Sequence, residues 1–499
     1  MLILLTGIYA SQKESGDKSA QGLLLAGRRM PTWIGIFTMT ATWVGGGYLI
    51  GTSEAVYDSA RGLVWAQAPW GYALSLILGG LFFAKKIRSQ GFTTFIDVFE
   101  QKYGKKTAAV LFVPALVGEI CWSAAILAAL GITFSTIFEL DLETSILASA
   151  GIAIVYTMLG GLWSVAYTDV VQLIFILIGL GISIPFAIQK IGGFETALDL
   201  YGLRMENGLN LFPPIQAFLG NDPNWGNQIW VWMDFALLLI MGGIPWQVYF
   251  QRVLSSKSDR SAVRLSIYGG LCCALMAVPA VWIGIAGAGF DWSGSTLGEA
   301  PEATMILPYV LLEMTPPLVG ALGLGAVAAA VMSSVDSSVL SASSMFTWNI
   351  YRPLINPGCT DKQINLIIRL SILCTGGIAT WLALTLQSVY DLWYLCADLV
   401  YVILFPQLLL ALYYQKSNRY GAVAGVVVAL VLRLGGGEPL FDIPPFIPYP
   451  MNDPLEGVLF PFRTFAMLAG LITIASVSQL THKRDPLHRN KKGLAQRPQ

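Results

Sequence analysis

Charge is what this sequence has least of: Asp, Glu, Lys and Arg together make up only 12% of its 499 residues, against 55% hydrophobic ones. Too little charge remains to cover a water-soluble surface, and a mean hydropathy of +0.63 places the chain among polytopic membrane proteins. Histidine is nearly missing as well. His482 and His488 both fall in a basic tail, which excludes a histidine-based metal site and a His-containing catalytic triad. No Walker A lysine motif and no G-x-G-x-x-G after a strand is found, so the chain does not read as an enzyme. The six cysteines, Cys121, Cys272, Cys273, Cys359, Cys374 and Cys396, lie in apolar segments or a presumed inner loop and build no disulfide framework. Net charge is zero and no basic face for nucleic acid is present.

What the chain does have is a succession of long apolar segments. Residues 1–9 are apolar but fall short of the roughly 20 residues a spanning helix needs, so 1–31 reads as a truncated first helix and a cytoplasmic linker. Helices are predicted near 32–56, 62–84, 107–137, 144–163 and 166–189, then near 229–250, 264–289, 316–345, 364–388 and 390–414. Two more follow near 419–435 and 464–481, within a C-terminal unit 415–481, and the N-terminal remnant brings the total to thirteen spans. Alternating their direction puts all but five of the 30 Lys and Arg on one side, the exceptions being Arg61, Lys190, Arg204, Arg433 and Arg463. By the positive-inside rule that side is cytoplasmic, together with the tail 482–499. The loops 190–228, 290–303 and the proline-rich 436–461 are acidic on balance and fall outside. The units 32–189 and 229–414 each hold five predicted helices, an odd number that gives them opposite topology.

Both units begin with a helix that the sequence interrupts. In Phe37-Thr-Met-Thr-Ala-Thr-Trp-Val-Gly-Gly-Gly-Tyr48, three consecutive glycines each cost a helix about 1 kcal/mol relative to alanine. The second unit has Gly242-Gly-Ile-Pro-Trp246. Inside a bilayer, unwound backbone is tolerated only where protein or a polar cavity covers it, so paired breaks point to a transporter's binding site near the membrane midplane.

The ionisable residues predicted within the membrane are acidic: Glu54, Glu119, Asp169, Asp234, Asp336 and Asp398, with no Lys or Arg assigned beside them at matching depth. A cavity of that sign suits cations. Glu54 and Asp234 read as interfacial. In Val331-Met-Ser-Ser-Val-Asp-Ser-Ser338, helical spacing puts Ser333, Asp336 and Ser337 on one face, where hydroxyl and carboxylate oxygens suit a hard cation such as Na⁺. Serines alone would serve close helix packing, whereas a buried aspartate asks for a counter-charge. Aromatic residues supply the other half of the expected site: Trp43 and Trp246 abut the breaks, with Tyr72, Trp122 and Trp393 on other helices. Electron-rich ring faces recognise quaternary ammonium groups, which offer no N–H donor.

The runs from Phe37 to Tyr48 and from Val331 to Ser338, with Trp65-Ala-Gln-Ala-Pro69, Ala166-Tyr-Thr-Asp-Val-Val-Gln172 and Gly242-Gly-Ile-Pro-Trp-Gln247, resemble choline-transporting members of the sodium/solute symporter family over nearly the whole chain. The resemblance implies an all-α, LeuT-like fold of about 13 transmembrane helices with two inverted five-helix repeats. It implies Na⁺-driven, Cl⁻-dependent choline uptake across the plasma membrane by alternating access, supplying acetylcholine synthesis at presynaptic terminals and present on synaptic vesicle membranes. Carried over residue by residue, it puts one sodium site on the carbonyls of Ala41 and Val44 and the hydroxyls of Ser333 and Ser334. A second would use Asp169, Asp336 and Ser337, and the choline pocket would be Trp43, Tyr72, Trp122, Trp246 and Trp393. The tail after Thr481 is shorter than in vertebrate relatives, which puts tail-directed endocytosis in question. Two other readings stand beside this one: a sodium symporter for another small solute such as proline or betaine, and a non-transporting sensor or cation channel on the same fold.

Overall fold

The computed structural model describes residues 19–159, 161–386, 389–453 and 457–485. The remnant helix 1–9 and most of the tail, His488 included, lie outside these residues. The first long apolar segment forms two helices, α1 (Thr32–Trp43) and α2 (Gly46–Tyr57), set 53° apart. Next come α3 (Ala68–Leu78), α4 (Lys105–Phe138), α5 (Leu142–Leu159) and α6 (Leu162–Lys190). The second interrupted segment gives α7 (Gln228–Gly242) and α8 (Gln247–Ser255), followed by α9 (Asp259–Met276) and α10 (Pro317–Met345). The remaining principal helices are α11 (Asp361–Leu386), α12 (Val389–Leu399), α13 (Arg419–Gly435) and α14 (Phe462–Thr481). Among the described residues, eight helical stretches are long and apolar enough to cross a bilayer, or nine when α1 and α2 count as one bent span.

The spanning helices are largely apolar, so depth in the bundle is set by side-chain size and by the few polar groups they carry. On α6, Ile174, Leu177, Ile178 and Ile182 are exposed and form a lipid-facing stripe, while Asp169, Gln172, Leu173, Ile176, Leu180 and Ser183 are buried. The centre of the bundle is α10, in which every residue from Ser333 to Met345 is buried. Eleven of those thirteen positions are Ser, Ala, Val or Asp, and small side chains let backbones approach closely without a hydrophobic drive between helices.

The described part of the linker before α1 packs against the bundle. Ala20–Leu25 forms a short helix whose cap, Ser19 Oγ, accepts from Gly22 N–H at 3.1 Å. Ala26, Gly27 and Arg28 then turn left-handed. That turn lets Arg28 reach the carbonyls of Gly91 (2.7 Å) and Phe92 (2.8 Å), while Leu24, Leu25 and Met30 are buried and Met30 N–H bonds Ser255 O at 3.1 Å.

Candidate substrate and sodium site

The two helix breaks are shaped by contact more than by turn geometry. At the first, Val44 (φ −84°, ψ 61°) ends α1 and Gly45 (φ −94°, ψ −170°) is extended, so neither needs a left-handed residue. Space is what needs glycine. A Cβ at Gly45 would overlap the Ser334 side chain, one at Gly46 would come within 2.6 Å of Val331 Cγ2, and one at Gly47 within 3.2 Å of the Trp393 ring. At the second break Gly243 to Trp246 are non-helical. A Cβ at Gly242 would stand 2.9 Å from Ala397 O. The breaks thus bring backbone against α10 on one side and α12 on the other.

Between them lies an aromatic cage. Trp43 meets Tyr72 edge-on (centroids 6.4 Å apart) and Trp122 at 6.1 Å; Trp122 meets Trp246 at 5.3 Å, and Tyr72 meets Trp393 at 5.5 Å. All five rings predicted for the pocket therefore converge, although they come from α1, α3, α4, the second break and α12. The Trp246 indole N–H donates to Gly242 O at 2.7 Å, which satisfies its polar edge within the break and leaves ring surface for the cage. Tyr48, Ile126 and Val248 also line the space. Tyr48 belongs to the predicted motif but carried no assigned role; its hydroxyl donates to Cys273 O at 2.6 Å and its ring stacks on Tyr72 at 6.5 Å. The space between the rings is tight, with about 20 Å³ open to the centre of a water molecule.

The serines of α10 face the first break. Ser333 Oγ donates to Ala41 O and to Ala330 O, both at 2.8 Å, and Ser334 Oγ donates to Thr42 O at 2.8 Å and Ala330 O at 3.4 Å. Carbonyl and hydroxyl oxygens from two helices therefore share one small volume, the kind of neutral oxygen shell a hard monovalent cation takes. Val44 stands at the break itself, its N–H bonded to Thr40 O at 2.8 Å. Thr42 and Ala330 were not among the sequence-derived ligands. The signal was available for Ala330, whose carbonyl lies three and four residues before the two serines, within reach of hydroxyls that bond back along their own helix.

One turn further along α10 the site changes character. Asp169, Asp336 and Glu119 are all buried, and Ser337 and Ser338 with them. Asp169 Oδ2 accepts from Thr38 Oγ1, and Ser338 Oγ donates to Glu119 Oε2 at 2.9 Å. The expectation that no basic residue stands beside these acids is wrong. Arg252 of α8 is fully buried, with Nη2 3.6 Å from Asp169 Oδ2, 2.5 Å from Ser337 Oγ and 2.9 Å from Thr42 Oγ1. The second break lets α8 re-enter the bundle, so a residue counted with the cytoplasmic charges points into its core.

The same correction applies at the outer acids. Asp398 pairs with Arg433 and, at 3.2 Å, with Arg463; Arg433 also pairs with Glu438. Asp234 accepts from Thr464 N–H (2.7 Å) and Oγ1 (2.6 Å) and lies 3.6 Å from Arg463 Nη1. Glu54 is 3.7 Å from Arg61. Asp234 and Asp398 thus belong to a paired network linking α7, α12, α13 and α14, set apart from the cage.

A helical bundle with two broken helices, clustered hydroxyl and carbonyl oxygens at one of them and a pocket lined by rings between them is the architecture of a secondary symporter. The chain belongs to the sodium:solute symporter family, whose model matches residues 23–429, and membership carries sodium coupling with it. Among individual proteins, it is 47% identical to the High-affinity choline transporter 1 of Caenorhabditis elegans, over 97% of this chain and 84% of that one. To the protein of the same name from Torpedo marmorata it is 48% identical, over 96% of this chain and 84% of the relative. A Na⁺-coupled sialic acid symporter, solved substrate-bound and outward-open, superposes with a TM-score of 0.75 at 19% identity, covering 97% of this chain and 95% of that one. That likeness shows the fold, which is LeuT-like.

Proposed function

We propose that this chain is a Na⁺-coupled choline symporter working by alternating access. The observation that carries the proposal is the convergence of Trp43, Tyr72, Trp122, Trp246 and Trp393 on one enclosed space between the two breaks. Ring faces attract a trimethylammonium group by about 0.5–2 kcal/mol each. No Lys or Arg lines that space, so a zwitterion such as proline or betaine finds no partner there for its carboxylate. The names of the relatives support the same substrate.

In this reading Na⁺ binds Ala41, Val44, Ser333 and Ser334, bridging α1 to α10 and holding the first break in the shape that supports Trp43. A second sodium position uses Asp169, Asp336 and Ser337. Inward movement of each charge is worth roughly 2.3 kcal/mol per 100 mV, before any concentration gradient is added. The proposal includes thirteen spans arranged as inverted repeats 32–189 and 229–414, chloride dependence, and a place at presynaptic terminals and on synaptic vesicle membranes supplying acetylcholine synthesis. These finer points rest on the resemblance to choline-transporting relatives.

Purified chain in proteoliposomes is expected to accumulate radiolabelled choline against its gradient with Na⁺ outside and to stop when K⁺ replaces it. Equilibration without accumulation would mean a channel, no flux a sensor, and accumulation of proline or betaine in place of choline another substrate class.

A further inference from the structure

The second sodium position already faces a positive charge of the protein's own. Arg252 Nη2 holds Ser337 Oγ at 2.5 Å and lies 3.6 Å from Asp169 Oδ2, two of the oxygens that position would offer an ion. The rest of the guanidinium is anchored less closely: Nε reaches Thr38 Oγ1, and Nη1 reaches Val248 O and Gln251 Oε1, all at 3.4 Å. Meanwhile both oxygens of Asp336, Oδ1 of Asp169 and Oε1 of Glu119 are buried with no hydrogen-bond partner. Three buried carboxyl groups thus lie within the charge range of one guanidinium, which pairs directly with Asp169 among the described contacts. Buried carboxylates in that state call for further positive charge.

A free cation entering here must displace the tethered one. Both would use Ser337 Oγ and Asp169, and two positive charges a few ångströms apart in a buried site repel strongly. Arg252 also ties α8 to three other helices: to α1 through Thr38 and Thr42, to α6 through Asp169, and to α10 through Ser337. Its helix begins directly after the second break, with Trp246 as its N-cap. We propose that Arg252 is a tethered cation in the second sodium position, so that Na⁺ and the guanidinium hold the Asp169 and Ser337 oxygens in turn. Sodium arriving there releases the inner half of the second broken helix. This rests on the second sodium position of the proposed function, and it adds to it a built-in competitor and a mechanical consequence.

The test is Na⁺ binding to the purified full-length chain in lipid nanodiscs, read without choline by ²²Na⁺ binding and by Na⁺-dependent thermal stabilisation. Arg252→Gln removes the competitor while keeping a polar side chain of related length. It is expected to bind an additional Na⁺ or to lower the half-saturating Na⁺ concentration at least about threefold, an effect cancelled by adding Asp169→Asn. Arg252→Lys keeps the charge but loses the planar fork, so it is expected to lower half-saturation by less, about twofold, and it carries the test if the glutamine variant does not fold. Unchanged or raised half-saturation in whichever variant folds, with stoichiometry unchanged, would overturn the proposal. Ser333→Ala in the same assay reports on the first site. If it leaves Na⁺ binding untouched, the ion assignment of the proposed function fails there, while the Arg252 result stands on its own.

Discussion

Two buried clusters in this molecule each set three carboxylates against arginine, and they are built to opposite ends. In the outer one, Asp234, Asp398 and Glu438 meet Arg433 and Arg463, and Asp398 Oδ1 is the sole carboxylate oxygen of the three without a hydrogen-bond partner among the described contacts. In the inner one, Glu119, Asp169 and Asp336 lie around Arg252, whose ion pair among the described residues is with Asp169, and four carboxylate oxygens have no hydrogen-bond partner. Burying a charge is costly, and a good partner returns most of that cost. The outer cluster is closed by its own side chains and fastens α7, α12, α13 and α14. The inner cluster is left incomplete by the protein's own side chains, and it is where the proposed second sodium position lies. A buried acid in a membrane therefore says little about function until its partners are known.

The sharpest way to break the contrast is to remove one member from each cluster. Arg433→Leu strands Asp398 and Glu438 and is expected to cost about 3–5 kcal/mol of stability, visible as lost surface expression and a lowered unfolding temperature. Whatever protein survives should keep its Na⁺ dependence. Trp246→Leu acts on the cage between the breaks and is expected to weaken choline binding by up to about 30-fold, the equivalent of ~2 kcal/mol. Trp246→Phe should lose only part of that, and Trp43 should follow the same order. An uncharged tert-butyl isostere of choline is expected to compete poorly, and equal competition would make the pocket merely hydrophobic. Asp336→Asn, in the inner cluster, should fold as well as the native chain or better, because it removes a carboxylate with no hydrogen-bond partner. Its Na⁺-driven uptake is expected to fall about tenfold, or ~1.4 kcal/mol, and normal uptake would assign Asp336 to packing. The smallest effect belongs to Ser333→Ala or Ser334→Ala. Losing one oxygen worth ~1 kcal/mol should raise the half-saturating Na⁺ concentration roughly fivefold at unchanged surface expression.

Much of this was present in the order of residues. Helices in a bilayer follow from apolar length alone, because every backbone group must bond within its own segment. The positions of the breaks follow from the cost of glycine and proline in a helix, and the serine face of α10 follows from a period of 3.6 residues; these are local properties, although the contacts that shape the breaks are not. The five rings of the cage were named from their nearness to breaks and from family resemblance, and the fold brings them together. What the sequence could not supply was the partner of each buried charge. Arg252 lies on a nine-residue helix and was counted with the cytoplasmic charges, and Arg433 and Arg463 with the external ones. Apart from Glu438, five residues after Arg433, their carboxylates come from distant parts of the chain and other helices, and a rotation of a helix by one residue, about 100°, would turn those away. Charge pairing across helices depends on rotation, depth and crossing angle. Those are fixed when whole faces pack, through small residues such as Gly45 against Ser334 and Gly46 against Val331, and only the tertiary structure decides them.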